Sequence, residues 1–124
     1  KLVTADGDHS GRYLMVSIMN GIRMGGGFYM APESDPSDGN LDLCVVDQVT
    51  RRRLLPLISK FTKGSQKGDP AVKFLRTNSL EIHALDGSIP AHADGETVCE
   101  KGKSIRIELH PKKLEMVYQP GLRN

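Results

Sequence analysis

Apolar and polar positions alternate with a period of two from one end of the chain to the other, the mark of strands that lay one face on a core. Ile105, Ile107 and Leu109 point one way while Ser104, Arg106, Glu108 and His110 point the other. Leu14, Val16 and Ile18 form a second such face, Leu80, Ile82 and Ala84 another, and Leu114, Met116 and Tyr118 a further one. In the segment Leu41, Leu43, Val45 the opposite positions Cys44 and Val46 are apolar too, which predicts a central strand covered on both sides. Lys1-Leu2-Val3 reads as the start of a strand. Asp6-Gly7, Asp86-Gly87 and Lys101-Gly102 supply the positive φ that tight hairpins need.

One stretch has helical period. Leu54, Leu57, Ile58 and Phe61 recur at i, i+3, i+4 and i+7 behind a polar entry at Thr50, with Lys60 and Lys63 in the last turn and Gly64 as a stop. Pro56 is then expected in the first turn. Short strands, glycine-rich turns and this helix predict a mainly β protein, a two-layer antiparallel β-sandwich with one or two short helices, this one packed at an edge or end.

Composition narrows the picture only modestly. A chain of 124 residues fits a single domain, 1–124. A net charge of +2 with 26% charged residues gives no field of one sign that would point to nucleic acid or to an anionic membrane surface. Cys44 and Cys99 lie far apart with no Cys-x-x-Cys spacing, so neither a zinc site nor a disulfide framework is indicated. No apolar run approaches the ~20 residues that span a bilayer. The chain opens on Lys1 inside a strand pattern, which leads us to expect that it was cut from something longer.

Three clusters carry candidate chemistry. Gly25-Gly26-Gly27 follows a strand and leaves backbone N–H groups open to a phosphate, but no Lys-Ser or Lys-Thr follows, and the same glycines suit a tight strand-to-loop crossing. Asp35, Asp38 and Asn40 place three oxygen-bearing side chains within six residues, the hard donors that Mg²⁺ or Ca²⁺ prefers; an Asx-rich turn has the same composition. Asp42 alternates to the face opposite Leu41 and Leu43 and is expected to partner an N–H or a cation. In the third cluster, His92-Ala93-Asp94-Gly95-Glu96, an extended backbone would put Asp94 and Glu96 on one face about 7 Å apart, while an ordinary Asp-Gly hairpin turn fits equally. Met24, Phe28, Tyr29 and Met30 are candidates to line an apolar channel. Arg51-Arg52-Arg53 suits either a solvated helix entrance or a phosphate or head-group contact.

In order, these pieces resemble the C-terminal domain of the bacterial diacylglycerol kinase and YegS-like lipid kinase family. The matching run comprises Asp6-Gly7, the strand to Gly27 with Asn20-Gly21, Ala31-Pro32, Asp38-Gly39-Asn40-Leu41-Asp42-Leu43 and the leucine-rich helix ending at Gly64. It continues through Asp69-Pro70-Ala71-Val72, the strand around Leu80, Asp94-Gly95-Glu96 and the closing Ile-x-Ile-x-Leu-x-Pro strand. The resemblance implies a β-sandwich lobe that faces an N-terminal nucleotide-binding lobe across a cleft where ATP and lipid meet. It implies Asp94 as proton acceptor, Glu96 beside the Mg-ATP phosphates together with Gly25 and Gly26, and a structural Mg²⁺ at Asp35, Asp38 and Asn40, the last through its backbone carbonyl. A Gly-Gly-Asp-Gly-Thr nucleotide motif occurs nowhere in the sequence. ATP is therefore expected to be bound mainly by the other lobe, and the isolated piece to be inactive. The implied protein is cytoplasmic, associates peripherally with a membrane where its lipid substrate lies, binds no nucleic acid, and leaves homodimerisation open. A sphingoid base, a polyprenol or NAD is the alternative acceptor, and a non-enzymatic metal-binding sandwich the alternative class.

Overall fold

The computed structural model describes residues 1–115. Eleven strands and one helix follow in the order β1 (Leu2–Thr4), β2 (Gly7–His9), β3 (Tyr13–Met19), β4 (Arg23–Met24), β5 (Phe28–Tyr29), β6 (Leu41–Asp47), α1 (Arg51–Lys63), β7 (Val72–Thr77), β8 (Ser79–His83), β9 (Ile89–Ala93), β10 (Glu96–Gly102) and β11 (Ser104–Glu108). All strand pairs are antiparallel. One sheet has the order β11-β8-β1-β2 and a second β3-β6-β7, while β4-β5 and β9-β10 are separate two-stranded hairpins. The fold is thus the mainly β sandwich that the alternation predicts.

Strand β6 is the centre of the molecule because both of its faces are apolar. Leu41, Leu43 and Val45 meet Leu2 and Leu80 of the four-stranded sheet, with Val16, Ile18, Ile82 and Ile107 around them. Cys44 and Val46 face the other way, onto Leu57 and Phe61 of α1. The helix therefore covers the outer face of the three-stranded sheet and makes a third layer, where the sequence suggests an edge or end. Burial of this second face pushes the Cys44 thiol up to about 12 and leaves it inert as a nucleophile.

Four local expectations are corrected. Leu14 does not share a face with Val16 and Ile18: the register jumps between Tyr13↔Asp47 and Met15↔Val46, so Leu14 is the extra residue of a β-bulge and Tyr13 takes its place in the sandwich core. Pro56 lies inside the helix, beyond the first turn, and withholds the N–H that the Arg52 carbonyl would accept. Lys101-Gly102 ends β10 without positive φ, and the chain passes through Lys103 directly into β11. Leu114 is exposed and in no strand, and Met116 and Tyr118 lie outside the described residues.

Gly64 stops the helix as expected. Its φ of 68° is left-handed, its N–H donates to the Lys60 carbonyl, and a Cβ there would sit 3.4 Å from the Tyr29 side chain. Gly64→Ala should lower stability by about 1 kcal/mol through the left-handed backbone alone. The check is a denaturant midpoint that falls with an unchanged m-value.

Candidate functional site

The β9-β10 hairpin pairs with no strand but itself and is joined to the sandwich through β11. Its loop is the two residues Asp94 and Gly95, with φ of 49° and 84°, between the paired residues Ala93 and Glu96. Two successive positive φ values define the primed turn that Asp-Gly favours, because its twist matches that of the flanking strands. The extended reading of this segment is therefore wrong: Asp94 occupies the turn and Glu96 opens the returning strand. Both carboxylates are exposed at the tip, and neither has a hydrogen-bond or ion-pair partner among the described residues. Neither lines either of the two cavities described below. His92 is exposed on β9 opposite Thr97 and does not join them in any contact.

Gly25, Gly26 and Gly27 form the tip of the β4-β5 hairpin. Gly25 and Gly26 have φ of 60° and 73°, and a Cβ at any of the three would meet nothing, so backbone conformation, not crowding, requires glycine at the first two. The hairpin is tied to the end of α1. Tyr29 packs on Gly64, its carbonyl accepts from the Gln66 amide, and its ring lies 4.3 Å beneath the Arg23 guanidinium.

Alternation along this hairpin sends Tyr29 to one face, against Gly64, and its neighbours Phe28 and Met30 to the other. They join Met24, Leu14 and Met15 of the bulged β3, Val46 of β6 and the α1 residues Leu54, Leu57, Ile58 and Phe61 around an apolar cavity of about 230 Å³. Met24, Phe28 and Met30 thus stand where the sequence suggests a channel, and Tyr29 does not. Leu14, Met24, Phe28 and Ile58 remain 38–49% exposed and form an open rim. A second, polar groove of similar size runs along Thr4, Ser79, Glu81 and Arg106 on the four-stranded sheet.

Residues 35–40 fold as consecutive Asx turns that lead into β6. Asp35 Oδ1 accepts from the Ser37 N–H at 2.9 Å and the Ser37 hydroxyl at 2.6 Å, and Asp38 Oδ1 accepts from the Asn40 N–H at 2.8 Å. The Asn40 side chain donates to the Asp38 carbonyl at 3.2 Å, which turns its amide nitrogen to the protein. No group of three or more His, Cys, Asp or Glu is placed to hold a metal among the described residues. The loop offers two carboxylates with carbonyl and amide oxygens, a donor set that suits a hard cation and not zinc.

Beside this loop stands a residue that the sequence reading passed over. Arg76 of β7 is the register partner of Asp42, its Nε lies 3.1 Å from Asp42 Oδ1, and its Nη1 lies 3.7 Å from Asp38 Oδ2. The hydrogen bond to Asp42 raises the guanidinium's pKa further. Asp42 thus finds the cationic partner expected of it, while its buried Oδ2 accepts no hydrogen bond. Asp69 was also missed as a contributor. Its enclosed carboxylate accepts from Arg53 at 3.0 Å, Lys60 at 2.8 Å and the Ala71 N–H at 2.9 Å, pinning α1 to the turn before β7. A lone acidic residue before Pro70 carries no signal of partners nine and sixteen positions upstream.

Comparison with known proteins defines first a class. Residues 2–118 match the family model of the YegS C-terminal NAD kinase beta sandwich-like domain, so this is a C-terminal β-sandwich lobe of the lipid and NAD kinase type. The chain belongs to that YegS C-terminal domain family. A search of curated proteins returned no similar sequence.

Proposed function

We propose that this lobe belongs to an ATP-dependent kinase that phosphorylates a lipid hydroxyl, that of diacylglycerol or a relative, and that a nucleotide-binding lobe elsewhere in the parent protein faces it. Asp94 takes the proton of the attacking hydroxyl as the oxygen bonds to the γ-phosphorus and the bond to the bridging oxygen of ADP breaks. Glu96, one turn residue away, borders the phosphates, and Gly25 and Gly26 present open backbone there. Mg²⁺ supplies charge neutralisation of the transferring phosphoryl group when bound. A second, structural cation is assigned to Asp35, Asp38 and the Asn40 carbonyl.

One observation carries the reading. Within a lobe of this family, two exposed carboxylates stand at a hairpin turn with no hydrogen-bond or ion-pair partner among the described residues. Phosphoryl transfer asks the protein for little beyond positioning, charge neutralisation and a proton acceptor. The apolar cavity favours a lipid acceptor over NAD, since its lining offers nothing to hydrogen-bond a nucleotide. It is smaller than the ~300–1,000 Å³ pockets that enclose a whole ligand, so it suits part of an acyl chain. No helix among the described residues is long and apolar enough to cross a membrane.

An acceptor panel on the full-length parent tests this. Transfer of labelled γ-phosphate to a long-chain diacylglycerol is expected to exceed transfer to NAD, with no turnover by the 124-residue chain alone. Preference for NAD, or a measurable rate from the isolated chain, would overturn the respective parts.

A further inference from the structure

The first turn of α1 contradicts the usual electrostatics of a helix. Arg51, Arg52 and Arg53 occupy the end where the backbone dipole disfavours cations, no acidic residue stands in that turn, and Thr50 makes no side-chain cap. Arg53 is explained by Asp69. Arg51 and Arg52 are exposed and have no partner among the described residues, and neither has Lys63 at the other end. A local rule broken without a structural gain marks a surface kept for something else.

The same face of α1 carries apolar side chains that the core does not use. Leu55 is 75% exposed and Ile58 40%. On a helix Leu55 follows Arg51 by four residues and precedes Ile58 by three, so the three form one stripe, with Arg52 and Lys63 alongside it. Ile58 is also on the rim of the apolar cavity, beside the exposed Leu14, Met24 and Phe28. The surface is therefore an apolar band edged by cations that have no partner among the described residues, and it leads into the apolar cavity.

We propose that this face, the outer stripe of α1 with the rim of the cavity, docks on an anionic lipid bilayer. Charge complementarity selects the occupant. Arginines that no carboxylate answers match an acidic leaflet, and leucine and isoleucine at their level reach the acyl boundary, the pattern of helices that lie in the interface plane. The inference rests on the lipid-kinase reading only in expecting a bilayer-borne acceptor, which could then enter the cavity without crossing water.

Co-sedimentation of the 124-residue chain with vesicles tests it without any phosphoryl transfer. Mixed phosphatidylcholine and phosphatidylglycerol vesicles should retain the protein, and pure phosphatidylcholine should retain it far less. A basic residue at an anionic surface is worth about fivefold in partition, so R51E with R52E should weaken binding by at least about 25-fold. L55S should weaken it severalfold while leaving thermal unfolding unchanged, and K101E, a charge reversal on β10, should change it little. Equal retention on both vesicle types, no retention on either, an unchanged double variant, or an equal loss with K101E would each overturn the proposal. So would a dimer formed without vesicles and lost in L55S, which would assign the stripe to a second copy. Phosphorylation of detergent-dispersed lipid by the parent carrying R51E and R52E separates the two readings. Intact activity there with lost vesicle binding supports both, and lost activity of the unaltered parent removes the kinase reading alone.

Discussion

Asp94→Asn in the full-length parent is expected to lower kcat by about 10³-fold, within the ~10²–10⁴ that a positioned general base contributes. The affinity for ATP and the unfolding midpoint should hardly move. The structure makes this an unusually clean substitution. Asp94 donates to and accepts from nothing among the described residues, and its only structural duty is a left-handed turn conformation with φ of 49°. Asn-Gly satisfies that turn at least as well as Asp-Gly. A loss of turnover therefore cannot be ascribed to an unfolded hairpin, and a near-normal rate would remove Asp94 from the reaction. Glu96→Gln is the companion variant. In its proposed role beside the phosphates, Glu96 acts on the metal-nucleotide complex, so the variant should raise the magnesium requirement, whereas Asp94→Asn should not.

The hairpin also explains which parts of the site were legible in the sequence. Asp6-Gly7 and Asp86-Gly87 carry the composition of turns, and Gly7 and Gly87 have positive φ. Asp94-Gly95 is the same dipeptide, and the acidic Glu96 beside it leaves an extended backbone open as well as the turn. Strand propensity on either side of the turn is identical in both readings, so only pairing decides, and pairing is not local. The bulge at Leu14 is invisible for a related reason. Nothing in Tyr13-Leu14-Met15 announces an extra residue, yet that one residue moves Leu14 out of the core line and onto the rim of the cavity.

The legible elements rest on chemistry that each segment carries by itself. Strand β6 is apolar on both faces, so a central position follows wherever its neighbours lie. The helix carries its period, its stop at Gly64 and its two lysines near the end. Its docking partner is set by Cys44 and Val46, whose exposure to a third layer is a property of the assembled sheet. The cation beside Asp42 was predictable in kind, since a carboxylate in an otherwise buried strand needs one, but Arg76 stands 34 residues away. The loop from Asp35 to Asn40 shows the same limit: oxygen donors at Asp35, Asp38 and Asn40 follow from the sequence, and Arg76 approaching Asp38 does not. A cation bound there would share Asp38 with that guanidinium.

Asp69→Ala should be the most destabilising single change at a polar residue, by about 2–3 kcal/mol, or on the order of 10 °C in the unfolding midpoint. The carboxylate side chain is 3% exposed, and it accepts from a buried backbone N–H as well as from two cations. Truncation leaves the Ala71 N–H without an acceptor, which is the larger part of the effect. Arg53 and Lys60 are 52% and 44% exposed at their side chains and can turn to water, so no charge is stranded and the loss stays below that of a fully buried pair. Asp69→Asn separates the contributions, keeping an acceptor for Ala71 while losing the charge. The pH dependence has a definite sign. The hydrogen bond from Lys60, then that from Ala71, holds the folded Asp69 carboxyl below its ordinary value. Its stabilisation is therefore complete above the unfolded pKa of about 3.9 and disappears as the pH falls through the lower folded value. Denaturant titrations of the wild-type chain and of Asp69→Asn should accordingly differ most near neutrality and converge in acid. A gap between them that stays constant from neutral to acid pH would show that the charge of Asp69 contributes nothing to holding α1 against the turn before β7.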